Sequence, residues 1–570
     1  MTTSPTSLPP APALAGTGIR AVSRWHVALV ASPHLTALGV MIATEADVLS
    51  RALFLLSWAF INFALITLMR RPGLSAALSL IFIVLVVLCS QLKHAVTQMT
   101  VNFVDVMIID GDSVAFLMTI FPKLRWYTLI SVVVGIPLLI AMWRLDPFRI
   151  RRLPALTAKL AALAALAACS LTWPDESWRA YLDDSYVSKF ANSGVVAIAD
   201  LMRVGFMESD ATATGALKFP LEDSCHPAKR RPNIILVHDE SSFDIRRAPG
   251  IKVPQGYGDH FRSYDGKQRS FMVEGNGGPS WYTEYNVLAG LSSRSFGRFA
   301  YFVTRIAAGR VERGLPRALR RCGYDTVSLY PAHGAFMGER DFQQSTGIED
   351  FRDDRALGAD GIEPDSFFYR KALDALQQRS KINPNFIYVY LAANHFPWDH
   401  RFRPDLMPSW RDPGNLPNVD EYLRRQALSA QDYRNFRAQL KKKFPDEAFL
   451  IVRYGDHQPD FTSFILEPGL SDTEIDKRLM DYDPRYYATY YAIDAINFEP
   501  VASSTMMDRI DGAYLPLVVQ EAAGLPLDPS FEEQKKIMLR CAGVFYDCNK
   551  GAEARRFNRL LIDAGFIKRL

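Results

Sequence analysis

Long apolar runs crowd the first third of the chain, whereas the remainder alternates short apolar runs with polar segments. Five of the long runs reach, or nearly reach, the length that a helix needs to cross a bilayer core of about 30 Å. The first is the weakest, because Pro33, His34 and Glu45 interrupt it. The pattern predicts an α-helical membrane domain over residues 26–172, with spans at 26–46, 52–69, 75–93, 126–143 and 154–172.

Basic residues flank these spans in three clusters. Arg20 and Arg24 precede the first span, and Arg70 and Arg71 follow the second. The third cluster lies between the fourth and fifth spans and consists of Arg144, Arg149, Arg151 and Arg152. The positive-inside rule then predicts a cytoplasmic N-terminal tail over residues 1–25 and an extracytoplasmic C-terminal part. Because no basic segment opens the chain, we expect no cleaved signal peptide. Buried helices of a soluble protein are a weaker alternative, since they would not explain the matching loop charges.

The rest of the chain has the pattern of an α/β protein. We expect a linker with interfacial helices over 173–230 and a catalytic domain with a central, mostly parallel sheet over 231–570. The candidate strands are Asn233–His238, Thr326–Tyr330, Phe386–Leu391 and Ala448–Tyr454. The candidate helices cover about 281–290, 310–322, 364–378 and 419–443.

Charge and cysteine content narrow the function classes. A net charge of +4 is small for 570 residues and argues against a dedicated nucleic-acid binder. The hydrophilic part contains four cysteines, which could form two disulfides in an oxidising compartment: Cys225, Cys322, Cys541 and Cys548. Cys541 and Cys548 are close enough in sequence to pair, but the connectivity stays open.

Polar side chains follow two of the predicted strands. Glu240 ends the run IILVHDE, and Asp456 and His457 follow the strand in LIVRYGDHQP. Ligands of open α/β sheets bind beyond the carboxyl ends of strands. Carboxylate oxygens with an imidazole nitrogen are a ligand mixture that suits Zn²⁺ or Mn²⁺. The sequence therefore predicts a metal site, although each group alone could be a solvated loop residue.

A nucleophile candidate lies in the segment GNGGPSWYTEYNVLAG. A glycine-rich loop stops where an amphipathic helix starts, which predicts Ser280 as the N-cap residue. The N–H groups at a helix N-terminus suit phosphate, and a metal-activated hydroxyl there could attack phosphorus. The alternative is that Ser280 only caps the helix.

The order of these motifs resembles the sulfatase-like branch of the alkaline phosphatase superfamily. Five spans before such a domain look like the lipoteichoic acid synthase type of phosphoglycerol transferase, and phosphoethanolamine transferases acting on lipid A share that plan. The resemblance covers most of the chain and is most specific from Arg231 to about Pro459.

The resemblance implies roles for individual residues. Glu240, Asp456, His457 and Ser280 match the family's metal ligands, and Ser280 matches its nucleophile, which is usually Thr. Because this chain departs from Thr, Thr283 is an alternative nucleophile. The C/S-x-P-x-R motif of sulfatases proper is missing around Ser280, which disfavours sulfate-ester hydrolysis.

Two further segments resemble substrate-side motifs of the family. In YPAHGAFMGERDF, His333 and Arg340 match residues that contact the substrate phosphate. In NHFPW, His395 matches a catalytic histidine on the substrate side. Asp365 is expected to be a structural or capping residue.

Together these motifs imply transfer of a phosphoglycerol or phosphoethanolamine headgroup from a phospholipid donor through a covalent phospho-enzyme. The acceptor would be a hydroxyl of an envelope glycan or lipid, and the cofactor one divalent ion, Mn²⁺, Zn²⁺ or Mg²⁺. We expect a monomer in the bacterial inner membrane, with a periplasmic catalytic domain and no nucleic-acid partner. The alternatives are a phosphatase or phosphodiesterase of the same fold and a non-catalytic lipid-binding membrane protein.

Overall fold

The computed structural model describes residues 24–97, 99–108, 118, 123–172, 183–217, 225, 231–378 and 382–568. The chain divides into two compact units. The first comprises residues 1–102, 122–175 and 179–195, and the second comprises residues 103–121, 176–178 and 196–570. Most of the predicted N-terminal tail, including Arg20, and parts of the predicted linker lie outside the described residues.

The first unit is a bundle of apolar helices. Five of its helices are long and apolar enough to cross a membrane, which confirms the predicted number of spans. Glu45 lies in the turn after the first helix, because that helix ends at Thr44 rather than running to residue 46 as predicted. The helices of the N-terminal part are α1 (Arg24–Thr44), α2 (Val48–Met69), α3 (Pro72–Thr97), α4 (Phe103–Ile108), α5 (Lys123–Leu145), α6 (Arg152–Thr172) and α7 (Tyr186–Arg203).

Two arginine-bearing loops meet at one end of this bundle. The Ile150 N–H donates to the Arg70 carbonyl at 3.0 Å, and the Arg71 guanidinium donates to the Asp146 carbonyl at 2.8 Å. The loop after α2 and the loop between α5 and α6 therefore lie on the same side of the bundle.

The segment that follows α6 meets the opposite end. The Ser185 N–H donates to the Thr44 carbonyl at 2.7 Å, and the Ser188 hydroxyl donates to a Glu45 carboxylate oxygen at 2.5 Å. Thr44 and Glu45 precede α2, whereas Arg70 follows it. The chain after the last span and the arginine loops thus lie at opposite ends of α2.

An eight-stranded sheet forms the centre of the second unit, in the order β4-β3-β5-β1-β6-β7-β2-β8. Five of its seven strand pairings are parallel, which confirms the predicted mostly parallel sheet. The strands are β1 (Asn233–Asp239), β2 (Arg269–Met272), β3 (Asp325–Leu329), β4 (Asp350–Arg352), β5 (Asn385–Tyr390), β6 (Phe449–Gly455), β7 (Ala488–Ile496) and β8 (Arg509–Asp511).

Helices flank the sheet, and one predicted helix is shorter than expected. The predicted helix over 310–322 begins only at Leu315, because Val311 forms a β-bridge with Ile567. The helices after the first strand are α8 (Ser280–Ala289), α9 (Val303–Ala307), α10 (Leu315–Arg321), α11 (Glu339–Thr346), α12 (Asp354–Leu357), α13 (Asp365–Gln378), α14 (Pro417–Lys443), α15 (Thr462–Leu466), α16 (Asp472–Met480), α17 (Pro484–Tyr487), α18 (Leu515–Ala522), α19 (Pro529–Arg540) and α20 (Ala552–Asp563).

Alternation along β1 assigns its side chains to two buried layers. Ile234 and Leu236 pack in one hydrophobic cluster with residues of α8, and Ile235 and Val237 pack in another with residues of α13. Side chains of a strand alternate between faces. His238 therefore continues the layer that contains α8.

Two disulfides link the four cysteines of the hydrophilic part of the chain. Cys225 is bonded to Cys322, and Cys541 is bonded to Cys548. The predicted number of disulfides is thus found, and the connectivity that the sequence left open is resolved.

Candidate active site

The register of the sheet brings two acidic residues together. Asp239 and Gly455 pair as the last residues of the parallel strands β1 and β6, so Glu240 and Asp456 leave the sheet side by side. A Cβ atom on Gly455 would lie 1.8 Å from the Ser242 carbonyl oxygen, which leaves room only for glycine. The glycine of the Gly-Asp-His motif is therefore required by a close main-chain approach.

Ser241 connects these two carboxylates. Its N–H donates to Asp456 Oδ1 at 2.7 Å, and its hydroxyl donates to Glu240 Oε1 at 2.9 Å. Its φ of 51° lies in the left-handed region, which non-glycine residues seldom adopt. Sequence reasoning missed Ser241, because its role depends on this turn.

Ser280 lies at the N-terminus of helix α8. The N-cap residue is Pro279 and Ser280 is the first helical residue, so the prediction of Ser280 as the N-cap was wrong. The physical reason is that its hydroxyl faces ligand-type groups instead of the helix N–H groups. Ser280 Oγ lies 3.2 Å from His457 Nε2 and 3.4 Å from Glu240 Oε2.

The spacing of these groups fits a metal ion. His457 Nε2 lies 3.4 Å from Glu240 Oε1 and 3.3 Å from Asp456 Oδ2. Four tetrahedral ligands about 2.0–2.2 Å from an ion lie roughly 3.3–3.6 Å apart. Asp456 Oδ2 is also buried and has no well-aligned hydrogen-bond donor among the described residues. The four predicted ligands are thus brought together in an arrangement that suits one divalent ion.

The electrostatics of the four ligand-type residues favour a positive charge next to the carboxylates. Burial opposes the charge of Asp456, but His457 and His238 outweigh it and keep the pKa of Asp456 below its ordinary value. Burial also opposes the charge of His457, yet Asp456 and Glu240 raise the pKa of His457 to about 9. His457 Nδ1 lies 2.9 Å from the Gln458 carbonyl, to which it donates, so a metal would replace the proton on Nε2.

Thr283 has a different environment from Ser280. Its side chain is fully buried, and its hydroxyl donates to the Asp456 carbonyl at 2.6 Å. The hydroxyl of Thr283 therefore fixes the main chain that carries Asp456.

A second carboxylate, Asp353, is paired with Arg340 and lies within electrostatic range of His333. The Arg340 guanidinium donates to Asp353 Oδ2 and lies over the Phe351 ring, 4.8 Å from its centroid. Burial opposes the charge of Asp353, but main-chain N–H groups, Arg340 and His333 hold the pKa of Asp353 below its ordinary value. About 40% of the Arg340 side chain is exposed, which leaves it open to a ligand.

The segment that carries His333 and Arg340 packs against the helix of Ser280. Trp281 contacts Phe336 edge-on, with ring centroids 5.9 Å apart. Deeper in the same interface, Gln343 donates to Glu284 at 2.8 Å. The structure records contacts between the two segments, but no direct contact of His333 or Arg340 with the four ligand-type residues among the described residues.

His395 lies beyond the carboxyl end of β5, the strand next to β1. Its Nδ1 atom lies 2.8 Å from the Phe396 carbonyl, and its ring stacks on that of Phe396. A carbonyl only accepts, so Nδ1 carries a proton, and in the neutral ring the lone pair is then on Nε2. Asp365, by contrast, is buried and accepts from the Ala393 N–H at 3.1 Å, which agrees with the structural role expected for it.

His238 is buried beside the ligand-type residues and was not predicted as part of the site. His238, Glu240 and Asp456 each offer a ligand-type atom, and these atoms lie within 4.8 Å of one another. The sequence signal was a histidine at a buried position of an apolar strand, in phase with Leu236.

Comparisons with known proteins give one family match, which covers part of the second unit. Residues 280–486 match the family model described as Sulfatase, which confirms the predicted resemblance to sulfatase-like enzymes for that part of the chain. A search of curated proteins found no match.

Several solved structures are distantly similar. The phosphoglycerol transferase GacH of Streptococcus pyogenes is 15% identical, with a TM-score of 0.45 over 64% of this chain and 94% of that one. The lipoteichoic acid synthase LtaP of Listeria monocytogenes is 17% identical, with a TM-score of 0.38 over 51% of this chain and 72% of that one. The lipooligosaccharide phosphoethanolamine transferase A of Neisseria meningitidis is 12% identical, with a TM-score of 0.34 over 73% of this chain and 83% of that one.

Proposed function

We propose that this protein transfers a phospho-alcohol headgroup from a phospholipid to an acceptor hydroxyl of the cell envelope, with Ser280 as the nucleophile. The observation that carries the proposal is the position of the Ser280 hydroxyl, 3.2 Å from His457 Nε2 and 3.4 Å from Glu240 Oε2. A serine that served only as a helix cap would bond the helix N–H groups, which Ser280 does not do.

Glu240, Ser280, Asp456 and His457 would hold the divalent ion, Mn²⁺, Zn²⁺ or Mg²⁺. Such an ion would stabilise charge on the transferring phosphoryl oxygens and ease deprotonation of the nucleophilic hydroxyl. The N-terminus of α8 places the positive end of the helix dipole beside Ser280, which favours an anionic phosphate there. His333 and Arg340 would bind the donor phosphate or its headgroup at the rim of the site.

Transfer takes place in two displacements. Ser280 Oγ attacks the donor phosphorus, the P–O bond to diacylglycerol breaks, and the serine proton ends on the diacylglycerol hydroxyl. The acceptor hydroxyl then attacks the same phosphorus, the P–Oγ bond breaks, and the acceptor proton returns to Ser280. His395, whose neutral ring has its lone pair on Nε2, carries the proton from the acceptor hydroxyl.

The membrane spans and the disulfides support a lipid substrate on the outer face. Five apolar helices, with arginine loops at one end of the bundle and the chain after α6 at the other, support a C-terminal part outside the cytoplasm. Disulfides such as Cys225–Cys322 persist in oxidising compartments outside the cytoplasm. We therefore place the catalytic domain in the periplasm of a bacterial inner membrane, where the protein acts as a monomer on phosphoglycerol or phosphoethanolamine lipids.

Intact-protein mass spectrometry tests this proposal. The full chain in detergent is incubated with Mn²⁺ and vesicles of phosphatidylglycerol or phosphatidylethanolamine. We expect a mass gain equal to the phospho-alcohol less one water, lost in Ser280→Ala and kept in the matched variant Thr283→Ser. Adduct formation in Ser280→Ala would show that Ser280 is not the nucleophile. Release of free phospho-alcohol, unchanged when a glycan or lipid acceptor is added, would indicate a hydrolase, and neither adduct nor release would indicate a lipid-binding protein.

A further inference from the structure

Two histidines flank the same oxygen of Asp456. His457 Nε2 lies 3.3 Å from Asp456 Oδ2, and His238 Nε2 lies 3.1 Å from it. By distance alone, both nitrogens could be metal ligands. The hydrogen bonds of Nδ1 distinguish the two rings. A neutral imidazole carries one proton, so a ring that accepts at Nδ1 has its proton on Nε2 and cannot bind a metal there, whereas a ring that donates from Nδ1 can.

The Nδ1 atom of His238 faces two tyrosine hydroxyls. It lies 3.0 Å from Tyr388 Oη and 2.9 Å from Tyr454 Oη, and the two hydroxyl oxygens are 2.9 Å apart. The tyrosines come from β5 and β6, the strands on either side of β1. No other hydrogen-bond partner of these hydroxyls occurs in the described part of the chain.

His238 Nδ1 and the two tyrosine hydroxyls form a triangle of hydrogen-bonding atoms. The number of donors and acceptors in this triangle favours one tautomer of His238. With a bare Nδ1, one tyrosine donates to the other and the second donates to Nδ1, so both hydroxyl protons are used. With a proton on Nδ1, one buried hydroxyl has no acceptor, at a cost of about 1–3 kcal/mol. The triangle therefore places the ring proton on Nε2, the atom that faces Asp456.

We propose that His238 is a positioning residue that donates its Nε2–H to Asp456 Oδ2 and orients this carboxylate for the metal, rather than binding the metal itself. His238 Nε2 and Asp456 Oδ2 are 3.1 Å apart, and neither of these buried atoms has another hydrogen-bond partner among the described residues. Tyr390 holds the imidazole plane, since the two rings stack with centroids 3.7 Å apart. Ser241 already donates to the other oxygen of Asp456, so under this proposal each oxygen has one donor.

This inference rests on the proposed metal site. Partners that orient a ligand typically change metal affinity by about 10- to 100-fold when they are removed. His238→Leu removes the donor at similar volume, whereas His238→Gln keeps an N–H donor the same number of bonds from Cβ. We expect the Mn²⁺ dissociation constant of the full chain in detergent to rise about 10- to 100-fold for His238→Leu and to stay within about 3-fold for His238→Gln.

Electron spin-echo modulation of bound Mn²⁺ gives a second readout that needs no variant. The wild-type protein should show coupling to one imidazole nitrogen, that of His457, unchanged in His238→Gln. Two coupled nitrogens, or unchanged affinity in His238→Leu, would overturn the positioning role and leave the proposed function intact. If His238→Leu does not fold, the nitrogen count decides. A wild-type protein that binds no Mn²⁺, Zn²⁺ or Mg²⁺ would overturn both proposals.

Discussion

The hydroxyl of Thr283 donates a 2.6 Å hydrogen bond to the main-chain carbonyl of Asp456. It thereby ties the first turn of helix α8 to the loop that carries two ligand-type side chains. Ser280, one turn earlier, has its hydroxyl among those side chains instead. Two hydroxyls three residues apart on one helix thus have different environments, which the sequence alone left open.

Replacing Thr283 should separate structure from chemistry. Thr283→Val removes the hydroxyl at nearly constant shape and leaves the buried Asp456 carbonyl without this donor, at a cost of about 1–3 kcal/mol. We expect a lower melting temperature and weaker Mn²⁺ binding, but a phospho-alcohol adduct that still forms on Ser280. Thr283→Ser, which keeps the donor, is the matched control. Loss of the adduct in Thr283→Val with metal binding retained would speak for Thr283 as the nucleophile.

Much of this site follows from local sequence, because it is built where strands end. Glu240 and Asp456 each follow an apolar run, and apolar runs of this length predict strands. That the two strands are neighbours in the sheet is a long-range fact, set by the pairing of Asp239 with Gly455. The resemblance supplied that adjacency, while periodicity alone did not.

Other features depend on contacts that no local pattern encodes. Four strands were not predicted: β2, β4 and β8, which are only 4, 3 and 3 residues long, and β7, which has 9. The three short strands leave too little alternation to detect, and β7 is buried at nearly every position, so it shows no alternation of apolar and polar residues. The role of His238 was missed for a related reason, since its tautomer depends on tyrosines from two neighbouring strands.

A buried pair of carboxyl groups should make stability depend on pH. Glu284 and Glu339 lie within hydrogen-bonding reach of each other. Both oxygens of Glu339 are buried without a well-aligned hydrogen-bond donor among the described residues. Burial, together with Glu339, raises the pKa of Glu284, and burial raises the pKa of Glu339. A carboxyl whose pKa is raised by folding stabilises the protein fully below the ordinary value of 4.5 and loses this contribution as pH rises towards the raised value.

The wild-type melting temperature should therefore fall between about pH 5 and pH 8. Glu339→Gln cannot ionise and keeps the shape, so the fall should shrink by about 2–4 °C or more, the equivalent of at least 1 kcal/mol. Asp341→Asn, an exposed change on the same helix α11, controls for general charge effects and should leave the slope as in the wild type. Equal slopes in all three proteins would contradict the interpretation that folding raises the pKa of Glu339.

Arg340 should contribute to donor binding. Its guanidinium is held by Asp353 and is partly exposed, which leaves N–H groups for a phosphate. A hydrogen bond to a charged group is worth about 1.5–3 kcal/mol, so Arg340→Ala should raise KM for the phospholipid by about 10-fold or more. Arg340→Lys keeps the charge but not the fork of donors and should give an intermediate value.

The matched control for Arg340 is Arg320→Ala. Arg320 is also half-exposed and is paired with Glu349 at 2.9 Å on the surface of the same domain. An exposed ion pair contributes about 0–1 kcal/mol, so this variant should keep the wild-type KM. A KM that rises equally in both variants would point to a general effect of surface charge rather than to phosphate binding at Arg340.

Membrane orientation provides the remaining prediction. The loops of Arg70 and Ile150 meet at one end of the bundle, and Thr44 meets Ser185 at the other. Since basic loops stay in the cytoplasm, the chain after the last span should be outside. In spheroplasts of cells expressing the full chain with a tag at each end, external protease should remove the C-terminal tag and spare the N-terminal one. Lysed spheroplasts should lose both. Protection of the C-terminal tag in intact spheroplasts would place the catalytic domain in the cytoplasm, where the Cys225–Cys322 disulfide would not persist, and would remove the outer-leaflet lipid as its donor.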